Sequence, residues 1–335
     1  MLEIRKYQVG DEGGFQRLDN LVEEHPWNRR DLANWKWKFK GKNPAGEPLM
    51  IYAANDSEIV GHFAAIPMKY WIDGESVIGS HSAAMMIDPQ WQNRGLIKFV
   101  ADKLIQELEI QGIPFTYGYP NENAYELHIK HLGYEEIAKQ QFYIKNINFN
   151  EEEDSSTGSL TWKKISKFGD ETNDLWENSK NEYNVIVERK SDFLNWRYLD
   201  RPDVPYHAYG VFNENMLEGY CVLKLYQEEK TLRGHFIDLF TSHNNNVCAS
   251  VLIRQGLQFF KEMRASEVTL WMQGCAFIKK LLPENGFMEG GFSGAGWQGS
   301  TRPMVCRFNS EKEKYKPLLN ERDFYFTMGD TLEIF

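Results

Sequence analysis

A six-residue block occurs twice in this chain, and each copy is followed by the same succession of elements. Leu32-Ala33-Asn34-Trp35-Lys36-Trp37 is echoed by Phe193-Leu194-Asn195-Trp196-Arg197-Tyr198. After each comes a Pro/Gly turn, a strand (Ile51–Ala54; His207–Val211), a polar turn (Asn55; Asn213–Asn215) and a strand led by glycine (Gly61–Ala65; Gly219–Leu223). Further on, Leu132-Gly133-Tyr134 is matched by Asn285-Gly286-Phe287. A repeat this long implies a duplicated domain, because a solenoid unit would be shorter. A chain of 335 residues has room for two such domains. The acidic, serine-rich run Asn150–Gly158 has linker composition, which sets the expected domains at 1–150 and 151–335.

Within the first copy the periodicity changes along the chain. Strands are expected at Leu2–Tyr7, Met50–Ala54, Ile59–Pro67 and Ser80–Ile87, with helices at Gly14–Glu24 and Asn34–Phe39. From Leu96 the apolar positions Leu96, Val100, Leu104 and Leu108 share one helical face, and Gly112 is a natural end for that helix. A strand (Phe115–Tyr119), a helix (Asn123–His131) and a strand (Gln141–Ile147) follow. The order predicts an α/β sandwich, with a mixed central sheet flanked by helices in each copy.

Composition excludes several function classes. The net charge of −10 argues against a nucleic-acid binder, which needs clustered Lys and Arg. The one basic stretch, Arg29–Lys42, reads as a solvated helix face or as a contact for an anionic ligand. The cysteines (Cys221, Cys248, Cys275, Cys306) are scattered, so neither a zinc site nor a redox pair is expected, and no metal is assigned. There is no run of about twenty apolar residues to span a bilayer. The expectation is a cytoplasmic chain with reduced thiols and no membrane partner.

The chemistry concentrates in Met85–Ile97, MMIDPQWQNRGLI. A strand runs into Pro89, crosses a polar loop and enters a helix at once. Such a loop presents unpaired N–H groups at the positive end of the helix dipole, a ready site for a pyrophosphate. Gly95 lets the backbone approach the ligand, while Gln92 and Arg94 add donors and positive charge.

Here the sequence resembles the GNAT acyltransferase superfamily. The resemblance rests on Pro89, Trp91, Gln92 and Gly95, with Ile97 in place of the usual final small residue, and on a second block formed by Asn121, Ala124 and the pair Gly133-Tyr134. It covers residues 2–147 and implies a mechanism. Acyl-CoA would be held by Met86, Ile87, Gln92, Asn93, Arg94, Gly95, Leu96, Ile97, Asn121 and Asn123. The pantetheine arm would fill a gap between the fourth and fifth strands like an added strand. A backbone N–H near Met86 would polarise the thioester carbonyl, and the acceptor amine would attack directly. The residue serving the departing thiolate falls at His128 or at Tyr125. For the base, His81, Ser82 and Asp88 are the candidates, with deprotonation through water as the alternative.

The second copy lacks the phosphate loop: its matching strand runs into Thr241–Asn246, with neither Gly nor Arg. It is therefore expected to shape the acceptor pocket or to pack structurally. Trp196, Arg197 and Trp297 (in the glycine-rich Gly290–Gly299 run) offer stacking and anion recognition. Tandem chains of this type resemble N-acyltransferases acting on dTDP-linked 4-amino-4,6-dideoxyglucose, as in the anthrose pathway. The leading expectation is N-acylation of a nucleotide-linked amino sugar in cell-surface sugar biosynthesis. An amino acid or other small amine as acceptor, or a non-catalytic acyl-CoA sensor, are the alternatives. The oligomeric state is left open, a homodimer being one option.

Overall fold

The computed structural model describes residues 1–22, 31–150, 156–228, 230–290, 301–320 and 322–332, with the backbone alone of 292–294 and 297–299. In the first half the order is β1 (Leu2–Lys6), α1 (Asp11–Val22), α2 (Leu32–Lys40), β2 (Leu49–Asn55), β3 (Glu58–Ile72), β4 (Glu75–Ile87), α3 (Leu96–Ile110), β5 (Phe115–Gly118), α4 (Glu122–His131) and β6 (Glu135–Asn146). Then come β7 (Thr161–Ile165), α5 (Asp170–Ser179), β8 (Val185–Val187), α6 (Ser191–Leu194), β9 (Tyr206–Asn213), β10 (Met216–Glu228), β11 (Thr231–Thr241), α7 (Asn246–Glu262), β12 (Glu267–Gln273) and α8 (Ala276–Glu284). The remainder is β13 (Met288–Glu289), β14 (Phe292–Gly294), β15 (Trp297–Gly299), β16 (Thr301–Phe308), α9 (Lys312–Tyr315) and β17 (Phe324–Thr327). This is the mixed α/β architecture expected from the sequence, with strands β3 and β4 longer than their hydrophobic runs indicate.

Two compact units share the chain, and neither is simply one half of it. The first comprises Met1–Lys69, Val77–Ala138 and Pro303–Pro317; the second comprises Tyr70–Ser76, Lys139–Arg302 and Leu318–Phe335. The sheet of the first unit is antiparallel through β1, β2 and β3, then parallel from β4 to β5, and β16 pairs antiparallel with β5. On one face α3 buries Leu96, Val100, Ala101, Leu104 and Leu108 against Ile51, Ala53, Phe63 and Ala65. Each of the Leu, Val, Ile and Phe side chains contributes about 1.5–3 kcal/mol by leaving water. The other face carries Phe15 of α1 with Trp35 and Phe39 of α2, in edge and tilted ring contacts.

That packing corrects one expectation about the basic stretch. Lys36 and Lys40 are exposed, but Lys38 is buried with Trp35, Trp37 and Phe39, so α2 turns part of its charged sequence inward. Arg29 and Arg30 lie outside the described residues, as does most of the expected linker.

In the second unit β7, β9, β10 and β11 are antiparallel neighbours, and β11 runs parallel to β12 from Arg233↔Glu267 to Phe236↔Leu270. Beyond that point β17 pairs with β12 at Met272↔Thr327 and Gln273↔Phe326, and the Tyr325 hydroxyl donates to the Leu239 carbonyl of β11. Strand β17 thus lies where β11 and β12 diverge. No helix among the described residues is long and apolar enough to cross a membrane.

Candidate active site

Parallel strands β4 and β5 stay paired only at Ser80↔Thr116 and His81↔Tyr117. Ser80 Oγ and Thr116 Oγ1, 2.7 Å apart, fasten the closed end. After that β4 continues to Ile87 while β5 ends at Gly118, so the strands part and, among the described residues, backbone groups of β4 have no strand partner on that side. The N–H of Asp88 bonds the Val60 carbonyl on β3 (2.9 Å). Since N–H groups alternate sides along a strand, those of Ile87 and Met85 face the divergence.

The loop at the mouth is built by local hydrogen bonds. Asp88 caps the single helical turn Pro89–Trp91 by accepting from the Gln90 N–H at 2.9 Å. Gln92 Nε2 donates back to the Ile87 carbonyl (3.2 Å). Asn93 (φ 59°) and Gly95 (φ 75°) are both left-handed, and Gly95 is the residue from which α3 starts. No side chain caps that helix, so the first-turn amides of Leu96 and Ile97 point outward. A β-carbon on Gly95 would meet nothing within 4 Å, which leaves the approach open. The Arg94 guanidinium rests 5.5 Å from the Trp91 ring, on the same exposed loop. An anionic group is favoured here by the helix dipole, the bare amides and Arg94 together.

At the closed end, a β-carbon on Gly118 would overlap the Ser82 hydroxyl, so the glycine is what admits that side chain beside β5. Ser82 also acts on the Tyr134 phenol as a hydrogen-bonding neighbour, while burial pushes that phenol's pKa up and keeps its proton on. The His128 ring meets Tyr134 edge-on at 4.8 Å, and its Nδ1 donates to the Ala124 carbonyl at 2.8 Å. Burial lowers the His128 pKa, so the imidazole stays neutral. Ser82, Tyr134 and His128 therefore form one cluster behind the divergence. Nothing in the sequence tied Tyr134 to Ser82; its only signal was its place in the Gly-aromatic pair.

Residues 3–137 match the family model described as an acetyltransferase (GNAT) domain. That stretch is similar to the acetyltransferase (GNAT) domain family. The fold agrees over nearly the whole chain. A GCN5-related N-acetyltransferase from Anabaena variabilis is 17% identical with a TM-score of 0.66, the match covering 96% of this chain and 75% of that one. A probable N-acyltransferase from Enterococcus faecalis is 13% identical (TM-score 0.65; 92% and 73% covered). N-myristoyltransferase from Saccharomyces cerevisiae, solved with bound myristoyl-CoA, is 11% identical (TM-score 0.60; 92% and 79% covered). No curated protein matches the sequence.

Within this stretch the other expected residues separate into two groups. Asn121 caps α4 by accepting from the Ala124 N–H (2.8 Å), and Asn123 is exposed on the first turn. Met86 is buried in β4, whereas the loop from Gln92 to Gly95 is exposed. His81 is buried, its ring edge-on to Tyr117 at 4.9 Å. Asp88 is buried, committed to its cap and paired with Arg17 at 3.3 Å. The Tyr125 hydroxyl donates to Glu136 (2.7 Å), and that bond raises its pKa to about 12.

The residues assigned to acceptor recognition sit elsewhere than expected. Trp196 is 3% exposed and Arg197 is fully buried. Arg197 donates to the carbonyls of Gly329 (2.8 Å) and Thr331 (3.3 Å) and to the Tyr206 hydroxyl (3.0 Å). In the structure this pair packs and ties the fold of the second unit rather than offering a face to a ligand. Trp297 lies in β15, and its side chain is outside the described residues. Among the described residues no cluster of His, Cys, Asp and Glu could hold a metal ion.

Proposed function

We propose that the chain is an acyl-CoA-dependent N-acyltransferase that acylates a small-molecule amine. The observation carrying this reading is the divergence of β4 from β5 directly beneath an uncapped helix N-terminus with a glycine at its start. The pantetheine arm has the extended shape and amide spacing to bond the free edge of β4, as an added strand would. The pyrophosphate then falls on the Gln92–Ile97 loop, with Arg94 as its cation. The yeast N-myristoyltransferase, which shares the fold and was solved with myristoyl-CoA, supports the donor class.

In the reaction the amine lone pair forms the N–C bond, the C–S bond breaks, and its electron pair goes to the sulfur. The carbonyl oxygen carries transient negative charge against a β4 amide. The amine's proton leaves to water or a nearby base, and the thiolate departs beside the Ser82–Tyr134 cluster. Because attack is direct, no side chain need carry the acyl group.

For the acceptor, the tandem-domain resemblance favours a nucleotide-linked amino sugar of the dTDP-4-amino-4,6-dideoxyglucose kind. Trp196 and Arg197 lend that choice no support, being part of the core. A panel of acetyl-CoA, longer acyl-CoAs, dTDP and UDP, singly and in pairs, tests both levels by thermal stabilisation. Stabilisation by a CoA ester supports the transferase; further stabilisation by one nucleotide supports the sugar acceptor. A response to CoA esters alone moves the acceptor to an amino acid or simpler amine. No response to any CoA ester overturns the reading.

A further inference from the structure

Inside β4, Ala84 adopts the left-handed conformation (φ 49°), which costs an L-residue about 1–2 kcal/mol. It sits just past the last β4–β5 pair, at His81↔Tyr117. A side chain on β3 holds its carbonyl. His62 Nδ1 lies 2.6 Å from the Ala84 carbonyl, and since a carbonyl only accepts, Nδ1 carries the proton. His62 is completely buried on β3. Its ring is fixed edge-on by Tyr52 (4.7 Å), Phe15 (4.8 Å) and Phe39 (5.8 Å).

The next amide shares a rigid plane with that carbonyl. In a trans peptide the Ala84 C=O and the Met85 N–H point in opposite directions. Anchoring the carbonyl on His62 therefore turns the Met85 N–H away from the aromatic face and towards the divergence. We propose that His62 is a positioning residue: by holding the Ala84 carbonyl it aims the Met85 N–H at the thioester oxygen of the acyl donor. The proposal rests on the reading that acyl-CoA occupies the gap between β4 and β5. It explains why a strained alanine persists inside the strand.

The test uses acetyl-CoA labelled with carbon-13 at the carbonyl and reads the infrared carbonyl band on the full-length protein. Wild type is expected to move the band to lower wavenumber, the signature of a hydrogen bond to that oxygen. His62→Asn, whose side-chain amide can reach the place of Nδ1, should keep the shift. His62→Phe, which retains aromatic packing and lacks the donor, should lose it. Acetyl-CoA affinity should stay within about threefold in both, because a ground-state hydrogen bond to a carbonyl is worth little net. Should His62→Phe fail to fold, His62→Leu, which also lacks a donor, is read in its place. An unchanged band shift in folded His62→Phe or His62→Leu overturns the proposal. If wild type does not bind acetyl-CoA at all, the acyl-CoA reading itself falls, which separates the two failures.

Discussion

The hydroxyl of Ser82 occupies the space that a β-carbon on Gly118 would require. The contact joins β4 to β5 at the point where their pairing stops, so the two residues should behave as one unit. Gly118→Ala is expected to fold, because the serine can rotate, at a cost of about 1 kcal/mol. Rotation withdraws the hydroxyl from Tyr134, so the variant should lose acyl transfer much as Ser82→Ala does. The double variant should then be no worse than either single one. A double-mutant cycle on turnover checks this, and additive losses would show the two residues to be independent.

Gly95 combines a backbone requirement with a clearance requirement, and two substitutions separate them. Its φ of 75° penalises a β-branched residue, so Gly95→Val should lower stability by about 1–2 kcal/mol and also abolish CoA binding. Gly95→Asn tolerates the left-handed conformation and should melt close to wild type. Because a side chain still stands over the first amides of α3, CoA affinity should fall by at least about tenfold. Calorimetric titration with CoA, beside a melting curve, distinguishes these outcomes.

How much of this was legible depended on the sequence distance over which each feature is encoded. The α3 stripe, the Asp88–Gly95 loop and the α4 helix are written in consecutive residues, and the structure has them where their pattern places them. Arg197 was misread because its partners Gly329 and Thr331 lie more than 130 positions away, beyond any local pattern. The Ser82–Tyr134 approach and the His62–Ala84 bond were likewise invisible, since each needs strand register that residue spacing does not specify. The mixed membership of the two units has the same origin: it depends on where β6 and β16 pair, at β12 and β5 respectively. A composition shift near residue 150 cannot encode that.

Two buried histidines predict a decline of stability in mild acid. Burial lowers the pKa of His128, and burial with the nearby Lys224 and Arg233 charges lowers that of His235 well below its usual value. An unfolded histidine takes a proton near pH 6.5, while these two resist it until a lower pH. The stability they confer is therefore complete above about pH 6.5 and lost as pH falls towards their folded values, by up to about 1.4 kcal/mol per unit per group. Urea midpoints at pH 7.5, 6.5 and 5.5 should fall in wild type. His128→Gln should flatten the slope by close to one proton, and an unchanged slope would show that His128 titrates normally when folded.

The second unit holds its final segment by a buried ion cluster, and that makes Asp330 a far more sensitive position than its chemistry alone suggests. Arg189 is fully buried, with Nη2 2.7 Å from Asp330 Oδ2 and Nε 3.3 Å from Asp238 Oδ2. Asp330 also accepts from the Thr327 N–H at 2.9 Å, so it secures the turn after β17 as well as the cation. Removing one member leaves the others desolvated without full compensation, which typically costs about 3–5 kcal/mol. The surface pair Lys98–Asp102 has the same charges at 2.8 Å, but both side chains are more than half exposed. Exposed pairs of that kind contribute about 1 kcal/mol at most. Asp330→Ala should therefore lower the unfolding free energy several times more than Asp102→Ala, as read from urea denaturation at pH 7.5. Equal small losses would mean that water reaches the cluster and that β17 is held by its strand pairing instead.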